Sequence, residues 1–203
     1  ENAMKLETMV LGPLETNCYL LWDEQTMEAA VIDPGASGQK IADRLAQNGL
    51  MLRMILLTHA HFDHIGGLQQ LHELTGAPVW VSKIDSTDPA EMTHGRLIFT
   101  NTYEDGDELT LGHIKIHVIA TPGHTPGGVC LLAGDWLFSG DTLFAGSCGR
   151  TDFKGGDQQA MMASLKKLGQ LPGNLRVLPG HMEESTLDAE RQVNPWMREA
   201  LKA

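Results

Sequence analysis

Short apolar segments alternate with glycine- and proline-containing turns along the first third of the chain. Apolar residues at positions 9–11, 18–22 and 29–32 predict three strands, and Asp33-Pro34-Gly35 closes the last of them. Short strands joined by tight turns favour a sheet that begins with hairpins. We therefore expect the first sheet to start near the beginning of the chain.

Helical spacing and further apolar runs follow. The spacing of Ile41 and Leu45 predicts a helix over residues 37–48 with Ser37 as its N-cap, and the apolar run 54–58 is typical of a buried strand. Helices are also predicted over residues 65–75 and 157–168, with one or two further helices within residues 185–203. Strands are predicted at 79–81, 109–111, 114–119, 129–132, 136–138 and 176–178. Residues 85–92 are polar and weakly patterned, which is compatible with a short helix or a surface loop.

Groups of strands followed by helices therefore occur twice, although no residue-level repeat accompanies them. This order predicts a mixed α/β (α+β) fold in which two sheets pack together with helices on both outer faces, a four-layer αββα sandwich. Residues 1–3 precede Met4 and are interpreted as a cloning remnant, and residues 4–203 as a single domain. No signal-peptide pattern follows Met4, so the expected location is cytoplasmic.

Charge and cysteine content narrow the classes of function. With 26 acidic and 15 basic residues the formal net charge is −11, which disfavours nucleic acid and anionic membranes as partners. The three cysteines, Cys18, Cys130 and Cys148, are far apart, so neither a disulfide framework nor a cysteine-rich zinc site is expected. Cys18 and Cys130 fall in apolar strands and are interpreted as core residues.

The densest group of polar, metal-binding side chains follows the predicted strand 54–58. His59-Ala60-His61-Phe62-Asp63-His64 places three imidazoles and one carboxylate within six residues. A loop at the carboxyl end of a buried strand is where α/β folds place ligands and catalytic groups. These side chains are therefore expected to face an opening.

Four other strands end in a similar way, in a glycine-containing turn that carries one residue able to bind a metal. These turns are Asp33-Pro34-Gly35, Pro122-Gly123-His124, Gly140-Asp141 and Pro179-Gly180-His181. Imidazole and carboxylate ligands suit zinc or iron, and a catalytic zinc ion takes only three protein ligands. Because the chain offers more ligands than one ion needs, two metal ions are the simpler hypothesis.

These motifs, in this order, resemble the metallo-β-lactamase superfamily, and within it the glyoxalase II (hydroxyacylglutathione hydrolase) branch. The resemblance runs from about Thr16 to His181. Only 22 residues follow His181, so the chain is similar to a short form without the C-terminal helical extension that helps glyoxalase II to bind glutathione.

The resemblance implies a role for each motif residue. It assigns His59, His61 and His124 to one metal, Asp63, His64 and His181 to a second, and Asp141 to both; Asp33 would orient the ligands. The implied cofactors are two divalent ions, with zinc as the first choice and iron or manganese as alternatives. The implied activity is hydrolysis of a small-molecule thioester by a hydroxide shared by the two ions, with Asp63 and Asp141 as the catalytic carboxylates and a glutathione conjugate as one candidate substrate.

Differences between this sequence and other branches of the superfamily disfavour several activities. β-Lactamases of this superfamily typically have cysteine in place of Asp141, so lactam hydrolysis is disfavoured. The tRNA-processing branch has a flexible RNA-binding arm and the flavodiiron branch an attached flavodoxin domain; neither is found here. His72, His94, His113 and His117 belong to no motif and are expected to have surface or packing roles.

Residues 148–153 leave two questions open. Arg150 could bind a substrate carboxylate, or it could form a salt bridge that orders its own loop. The segment Cys148-Gly149-Arg150-Thr151-Asp152-Phe153 also resembles persulfide dioxygenases, which share the fold and use one iron ion. A dioxygenase is therefore the alternative enzyme, and a non-catalytic binding module that keeps the fold is a third hypothesis.

Overall fold

The structure, a computed structural model, describes residues 3–203. One sheet contains, in spatial order, β1 (Met4–Leu11), β2 (Thr16–Asp23), β3 (Glu28–Ile32), β4 (Met51–Leu56), β5 (Val79–Ser82) and β6 (Asn101–Tyr103). The first three strands are antiparallel, and β3 to β6 are parallel. The interpretation of residues 1–3 as a cloning remnant falls partly on residues 1 and 2, which lie outside the described residues.

The second sheet has the spatial order β14 (Ser185–Thr186), β13 (Arg176–Pro179), β10 (Trp136–Gly140), β9 (Val129–Ala133), β8 (Ile114–Ala120) and β7 (Glu108–Leu111). It is antiparallel except where β10 pairs with β13. A small ribbon joins β11 (Leu143–Phe144) to β12 (Ser147–Cys148).

Seven helices complete the described part of the chain. They are α1 (Gly38–Gln47), α2 (Phe62–Ile65), α3 (Leu68–Thr75), α4 (Ala90–Thr93), α5 (Gln158–Gly169), α6 (Leu187–Val193) and α7 (Pro195–Lys202). None of these helices has the length and apolar character needed to span a bilayer.

Three apolar clusters hold the layers together. The central cluster joins inward-facing residues of both sheets, including Tyr19, Leu56, Ile116 and Phe138. A second cluster lies between the first sheet and helices α1 and α3, and a third between the second sheet and helices α5 to α7. The predicted arrangement, two packed sheets flanked by helices, is confirmed.

Two local predictions need correction. Ser37 is the N-cap residue of α1, as predicted, but its backbone is left-handed (φ 55°) and its side chain makes no capping hydrogen bond; the N–H of Gln39 instead donates to Gln70 Oε1. The predicted helix over residues 65–75 is broken at Gly66-Gly67. A Cβ on Gly67 would lie 2.7 Å from the Ala36 carbonyl oxygen, so this close approach of two backbones requires glycine.

Some short strands gave no recognisable pattern in the sequence. β6 is polar and mostly exposed, and β11, β12 and β14 have two residues each. Apolar alternation needs about four residues to be recognised, so such strands escape it. The polar segment 85–92 contains a 3-10 turn at Asp85–Thr87 and the beginning of α4.

The sheets bring the motif-bearing turns to one edge of the sandwich. The chain leaves β3, β4, β8, β10 and β13 into the turns that carry Asp33, His59, His124, Asp141 and His181. Backbone hydrogen bonds join the two sheets there: Val129 N–H donates to the Thr58 carbonyl (2.9 Å) and Asn17 N–H to the Gly180 carbonyl (2.8 Å). Loops from both sheets are thereby held against each other.

Candidate metal centre

Three histidines form the first set of possible ligands. One nitrogen from each of His59, His61 and His124 lies within 4.8 Å of the others, and all three residues are buried. Their rings meet edge to face, with centroids 4.7 to 5.0 Å apart. Three converging imidazoles match the protein ligand number of a catalytic zinc site.

The second set combines two histidines with two carboxylates: Asp63, His64, Asp141 and His181 also converge within 4.8 Å. Asp63 Oδ2 lies 3.0 Å from His181 Nε2 and 3.4 Å from His64 Nε2. All seven residues predicted as metal ligands therefore belong to one of two adjoining sets.

Asp141 lies between the two sets. Its Oδ2 is 3.4 Å from His124 Nε2 and 3.7 Å from His59 Nε2, while its Oδ1 is 3.2 Å from His64 Nε2. Oδ2 is also 3.5 Å from His181 Nε2. Asp141 therefore lies within 3.7 Å of histidines from both sets. The carboxylate of Asp33 also converges within 4.8 Å with one histidine of each set, His59 and His64.

Hydrogen bonds on the far side of the rings fix how the imidazoles face the centre. His124 Nδ1 donates to the Arg150 carbonyl (2.7 Å), and His181 Nδ1 donates to the Leu14 carbonyl (3.1 Å). A carbonyl oxygen can only accept, so Nδ1 carries the proton in both rings. Nε2 of each histidine therefore faces the centre, where it can bind a cation once it carries no proton.

Asp33 controls two further histidines. Its Oδ2 accepts from His64 Nδ1 (2.9 Å) and from the Thr58 hydroxyl (2.6 Å), and its Oδ1 accepts from Thr58 N–H (2.9 Å). Because the Thr58 hydroxyl donates to Asp33, it accepts from His59 Nδ1 at 3.1 Å. One buried carboxylate thus sets the tautomer of a histidine in each set, directly for His64 and through Thr58 for His59.

The interior of the site fits a pair of cations. His59 Nε2, His64 Nε2 and Asp141 Oδ1 are buried and have no hydrogen-bond partner among the described residues. A buried polar atom without a partner costs about 1–3 kcal/mol. All three atoms face the convergence of the two sets, where divalent ions would satisfy them.

Protonation in the first set favours metal binding. Burial and the neighbouring imidazoles hold the pKa of His59 well below its usual value and lower the pKa of His61 to about 4. Burial opposes ionisation of Asp141, but the surrounding histidines outweigh it and hold its pKa well below the usual value. Near neutral pH His59 and His61 are therefore neutral beside an ionised carboxylate, and these are the forms that bind metal.

In the second set a metal would compete with protons. Burial opposes the charged form of His64, but Asp141 and Asp33 outweigh it and raise its pKa well above the usual value. Burial also opposes protonation of His181, whereas hydrogen bonds to Asp141 and Asp63 raise its pKa to about 10. Binding of a cation at this set would release these protons.

A buried residue outside the predicted site joins two of its loops. Asp85, in the 3-10 turn after β5, accepts from the Thr125 hydroxyl (2.6 Å) and Gly127 N–H (2.7 Å). The backbone N–H of Ala60 also bonds to its carboxylate. Ala60 lies between His59 and His61, and Thr125 follows His124, so Asp85 holds the two loops of the first set together.

A cavity of about 500 Å³ opens over the centre. Residues of the two ligand sets form its floor: His61, Asp63, His124, Asp141 and His181. Its walls are largely apolar and contain Leu14, Phe62, Met92, Phe144, Phe153 and Met182. Cys148 also lines it, and burial raises the pKa of this thiol to about 11. Cys18 and Cys130 are buried in strands β2 and β9.

Arg150 lines the same cavity, but its guanidinium is already paired. Nε and one terminal nitrogen donate to the two carboxylate oxygens of Asp152, each at 2.7 Å, and the group lies 4.3 Å from the centre of the Phe153 ring. Of the two hypotheses drawn from the sequence, the structure contains the salt bridge within the loop. Binding of a substrate by Arg150 stays a prediction.

The four remaining histidines lie outside both sets. His72 bonds to the Ala77 carbonyl and His113 to Asp23, while His117 lies near Glu108. His94 stacks on Phe62, with ring centroids 3.9 Å apart and an interplanar angle of 5°. His94 therefore borders the site without contributing a ligand.

The fold and the site together define a metal-binding α/β protein whose centre lies at the edge of two packed sheets. A family model described as the metallo-beta-lactamase superfamily matches residues 11–181. The chain belongs to this superfamily.

Two curated relatives align over nearly their full lengths. One is "Probable metallo-hydrolase YqgX" of Bacillus subtilis, 36% identical, with 96% of this chain and 98% of the relative covered. The other is "Hydroxyacylglutathione hydrolase GloC" of Haemophilus influenzae, 30% identical, with 96% and 98% covered.

Solved structures give the same fold with differing names. BLEG-1 B3 metallo-beta-lactamase matches with a TM-score of 0.85 at 32% identity, covering 95% of this chain and 99% of that one. ETHE1 from Myxococcus xanthus matches with a TM-score of 0.83 at 31% identity, covering 94% of this chain and 83% of that one. TTHA1623 in a di-iron-bound form matches with a TM-score of 0.82 at 36% identity, covering 94% of this chain and 99% of that one.

Proposed function

We propose that the protein is a binuclear metal-dependent hydrolase of small-molecule thioesters, similar to the glyoxalase II branch. The main support is Asp141, which lies within 3.7 Å of histidines in both ligand sets at the floor of an open cavity. Similarity to the hydroxyacylglutathione hydrolase of Haemophilus influenzae adds to it.

His59, His61 and His124 would hold one divalent ion and Asp63, His64 and His181 the other, with Asp141 shared. Such ions supply Lewis acidity and lower the pKa of water from about 15.7 toward about 7. Zinc is the first choice for these ligands. Iron or manganese suits them as well, and the di-iron form of TTHA1623 supports iron.

The protein's own groups would position the reactants. Asp63 lines the cavity and is partly exposed, so its carboxylate can accept a hydrogen bond from the attacking water. Leu14, Phe144 and Phe153 line the cavity and would exclude part of the bulk water from a bound substrate, which would strengthen polar interactions there.

Leaving-group chemistry favours a thioester over an amide. A thiol with a pKa of about 8.5 departs as the anion, whereas an amine must be protonated. The Cys148 thiol, with a pKa of about 11, and the paired Arg150 are poor proton donors. A thioester requires no such donor.

A persulfide dioxygenase with one iron is the second candidate. The segment 148–153 and the similarity to ETHE1 from Myxococcus xanthus favour it. The second ligand set favours the hydrolase, because a mononuclear enzyme has no need of a complete Asp63, His64 and His181 group.

Metal content and activity of the same preparation would separate the candidates. Protein purified without added metal should contain two ions per chain and hydrolyse S-lactoylglutathione. One iron per chain, oxygen uptake with glutathione persulfide and sulfite formation would identify the dioxygenase. Nitrocefin tests lactam hydrolysis, to which the name of BLEG-1 draws attention. Two ions without turnover of any thioester would support a binding module.

A further inference from the structure

A second cavity, of about 340 Å³, adjoins the cavity over the metal centre. Leu14, Phe62 and Asp63 line both, so the two spaces lie on either side of these three residues. We call the second space the side groove. A ligand whose reactive group lies at the metal centre can extend past Phe62 into the side groove.

The segment around the end of α4 borders both spaces. Met92 lines the cavity over the metal centre, while His94 and Arg96 line the side groove. The parallel stack of His94 on Phe62 attaches this segment to the metal-binding loop. This stack and the bond from Arg96 N–H to the Thr93 carbonyl (3.1 Å) place the backbone of Arg96 beside the metal-binding loop.

Arg96 differs from most arginines of the chain. Five of the seven arginines form a salt bridge with an Asp or Glu side chain: Arg44, Arg53, Arg150, Arg176 and Arg191. Arg198 and Arg96 have no hydrogen bond or ion pair from their guanidinium groups to any residue between 3 and 203. Both side chains are exposed, but Arg198 lies on α7, whereas Arg96 lines the groove next to the metal centre.

The charges around the side groove suit an anion. Its other ionisable lining residues are His94 and Asp63, and Asp63 lies at the end shared with the metal centre. An unpaired guanidinium in a chain with 26 acidic and 15 basic residues is available for an external carboxylate or phosphate. Arg150 is not available in this way, because Asp152 occupies its nitrogens.

We propose that Arg96 binds an anionic group, a carboxylate or a phosphate, on the thiol arm of the substrate while the thioester carbonyl lies over the metal centre. This inference rests on the proposed thioester hydrolysis and adds a substrate class to it. The site would prefer thioesters of anionic thiols to those of neutral thiols, with Arg96 as the specificity-determining residue.

Three thioethers test the preference without turnover: S-hexylglutathione (carboxylates), S-hexyl-coenzyme A (phosphates) and S-hexyl-N-acetylcysteamine (neutral). Calorimetric titration of metal-loaded protein should give a Kd about tenfold lower for at least one anionic ligand than for the neutral one, as expected for one charge-assisted contact. The favoured ligand identifies which anion binds.

Arg96→Ala should remove that preference and leave the Kd of the neutral ligand unchanged. Arg96→Lys should keep part of the preference for the anionic ligand. The matched control Arg198→Ala should keep all of it. Equal affinity for all three ligands, or a preference that survives Arg96→Ala, would overturn the inference. Loss of the preference in Arg150→Ala instead would place the anion at Arg150 and equally overturn it.

Turnover distinguishes a failure of this inference from a failure of the proposed function. If no thioester is hydrolysed but Arg96-dependent binding persists, only the activity is wrong. If S-acetylglutathione and acetyl-coenzyme A are hydrolysed with the same KM by wild type and Arg96→Ala, the activity stands and the role of Arg96 is wrong. A raised KM at unchanged kcat supports both.

Discussion

Asp33 Oδ2 lies 2.9 Å from His64 Nδ1, on the side of the imidazole that faces away from the metal centre. The same oxygen accepts the Thr58 hydroxyl, which in turn is 3.1 Å from His59 Nδ1. Histidines of both ligand sets therefore depend on one carboxylate for their orientation. Asp33 therefore orients these two histidines from their Nδ1 side, away from the point where the Nε2 atoms meet.

Replacing Asp33 by Asn should weaken both metal sites. Asn tolerates the left-handed backbone at this position (φ 57°), but its amide NH₂ group would face a donor. Loss of such a partner typically reduces metal affinity about 10- to 100-fold. Competition with a chromophoric chelator measures this, with exposed Asp43→Asn as the control; unchanged affinity at both sites would contradict the link.

The shared position of Asp141 predicts a difference between two ligand variants. Asp141→Ala should reduce binding of both ions and turnover together, whereas His181→Ala should reduce the content mainly from two ions toward one. Elemental analysis after dialysis against a fixed free metal concentration measures both. Full metal content and turnover in Asp141→Ala would show that this carboxylate does not bridge the sets.

Asp85 should support the first ligand set through the loops that it joins. Asp85→Asn leaves one accepting oxygen for the N–H groups of Ala60 and Gly127, and it forces the Thr125 hydroxyl to accept where it now donates. We expect this change to cost about 1–3 kcal/mol in stability. Thr125→Val removes one bond only and should have a smaller effect. If Asp85→Asn lowers the melting temperature but leaves affinity at the first set unchanged, Asp85 is structural only.

The raised pKa of Asp88 predicts that the stability of the protein depends on pH. Burial and nearby Asp85 raise its pKa to about 7 from an unfolded value of 3.8. Because the folded state binds more protons between these values, the contribution of Asp88 to stability falls as pH rises from about 4 to 7 and stays low above 7.

Asp88→Asn should therefore stabilise the protein at pH 8, by about 1 kcal/mol after allowance for partial exposure, and hardly at all at pH 4. Urea unfolding of the wild type and the variant at both pH values measures the difference, with Asp43→Asn again as the control. An equal gain at pH 4 and pH 8 would rule out titration of Asp88 as the cause.

The layers and the ligand-bearing turns could be predicted from the sequence because their patterns are local. Buried strands such as β4 and β8 have continuous or alternating apolar residues, and the Pro-Gly-His turns follow strands directly. Once the strands are placed in packed sheets, their carboxyl ends bring residues as distant as His59 and His181 to one edge.

The supporting contacts could not be predicted in the same way. The bond from Thr125 to Asp85 spans 40 residues, and Asp85 lies in a polar segment without periodicity. Thr58 looked like the end of an apolar strand, and its role depends on which side chain its hydroxyl meets. The pairing of Arg150 and the free guanidinium of Arg96 likewise depend on loop geometry that composition does not encode.

Anomalous diffraction from crystals grown with zinc, recorded on both sides of the zinc edge, tests the central claim most directly. The account predicts two peaks, one among His59, His61 and His124 and one among Asp63, His64 and His181, with Asp141 in contact with both. A single peak at full loading, or ions bound away from these residues, would contradict it.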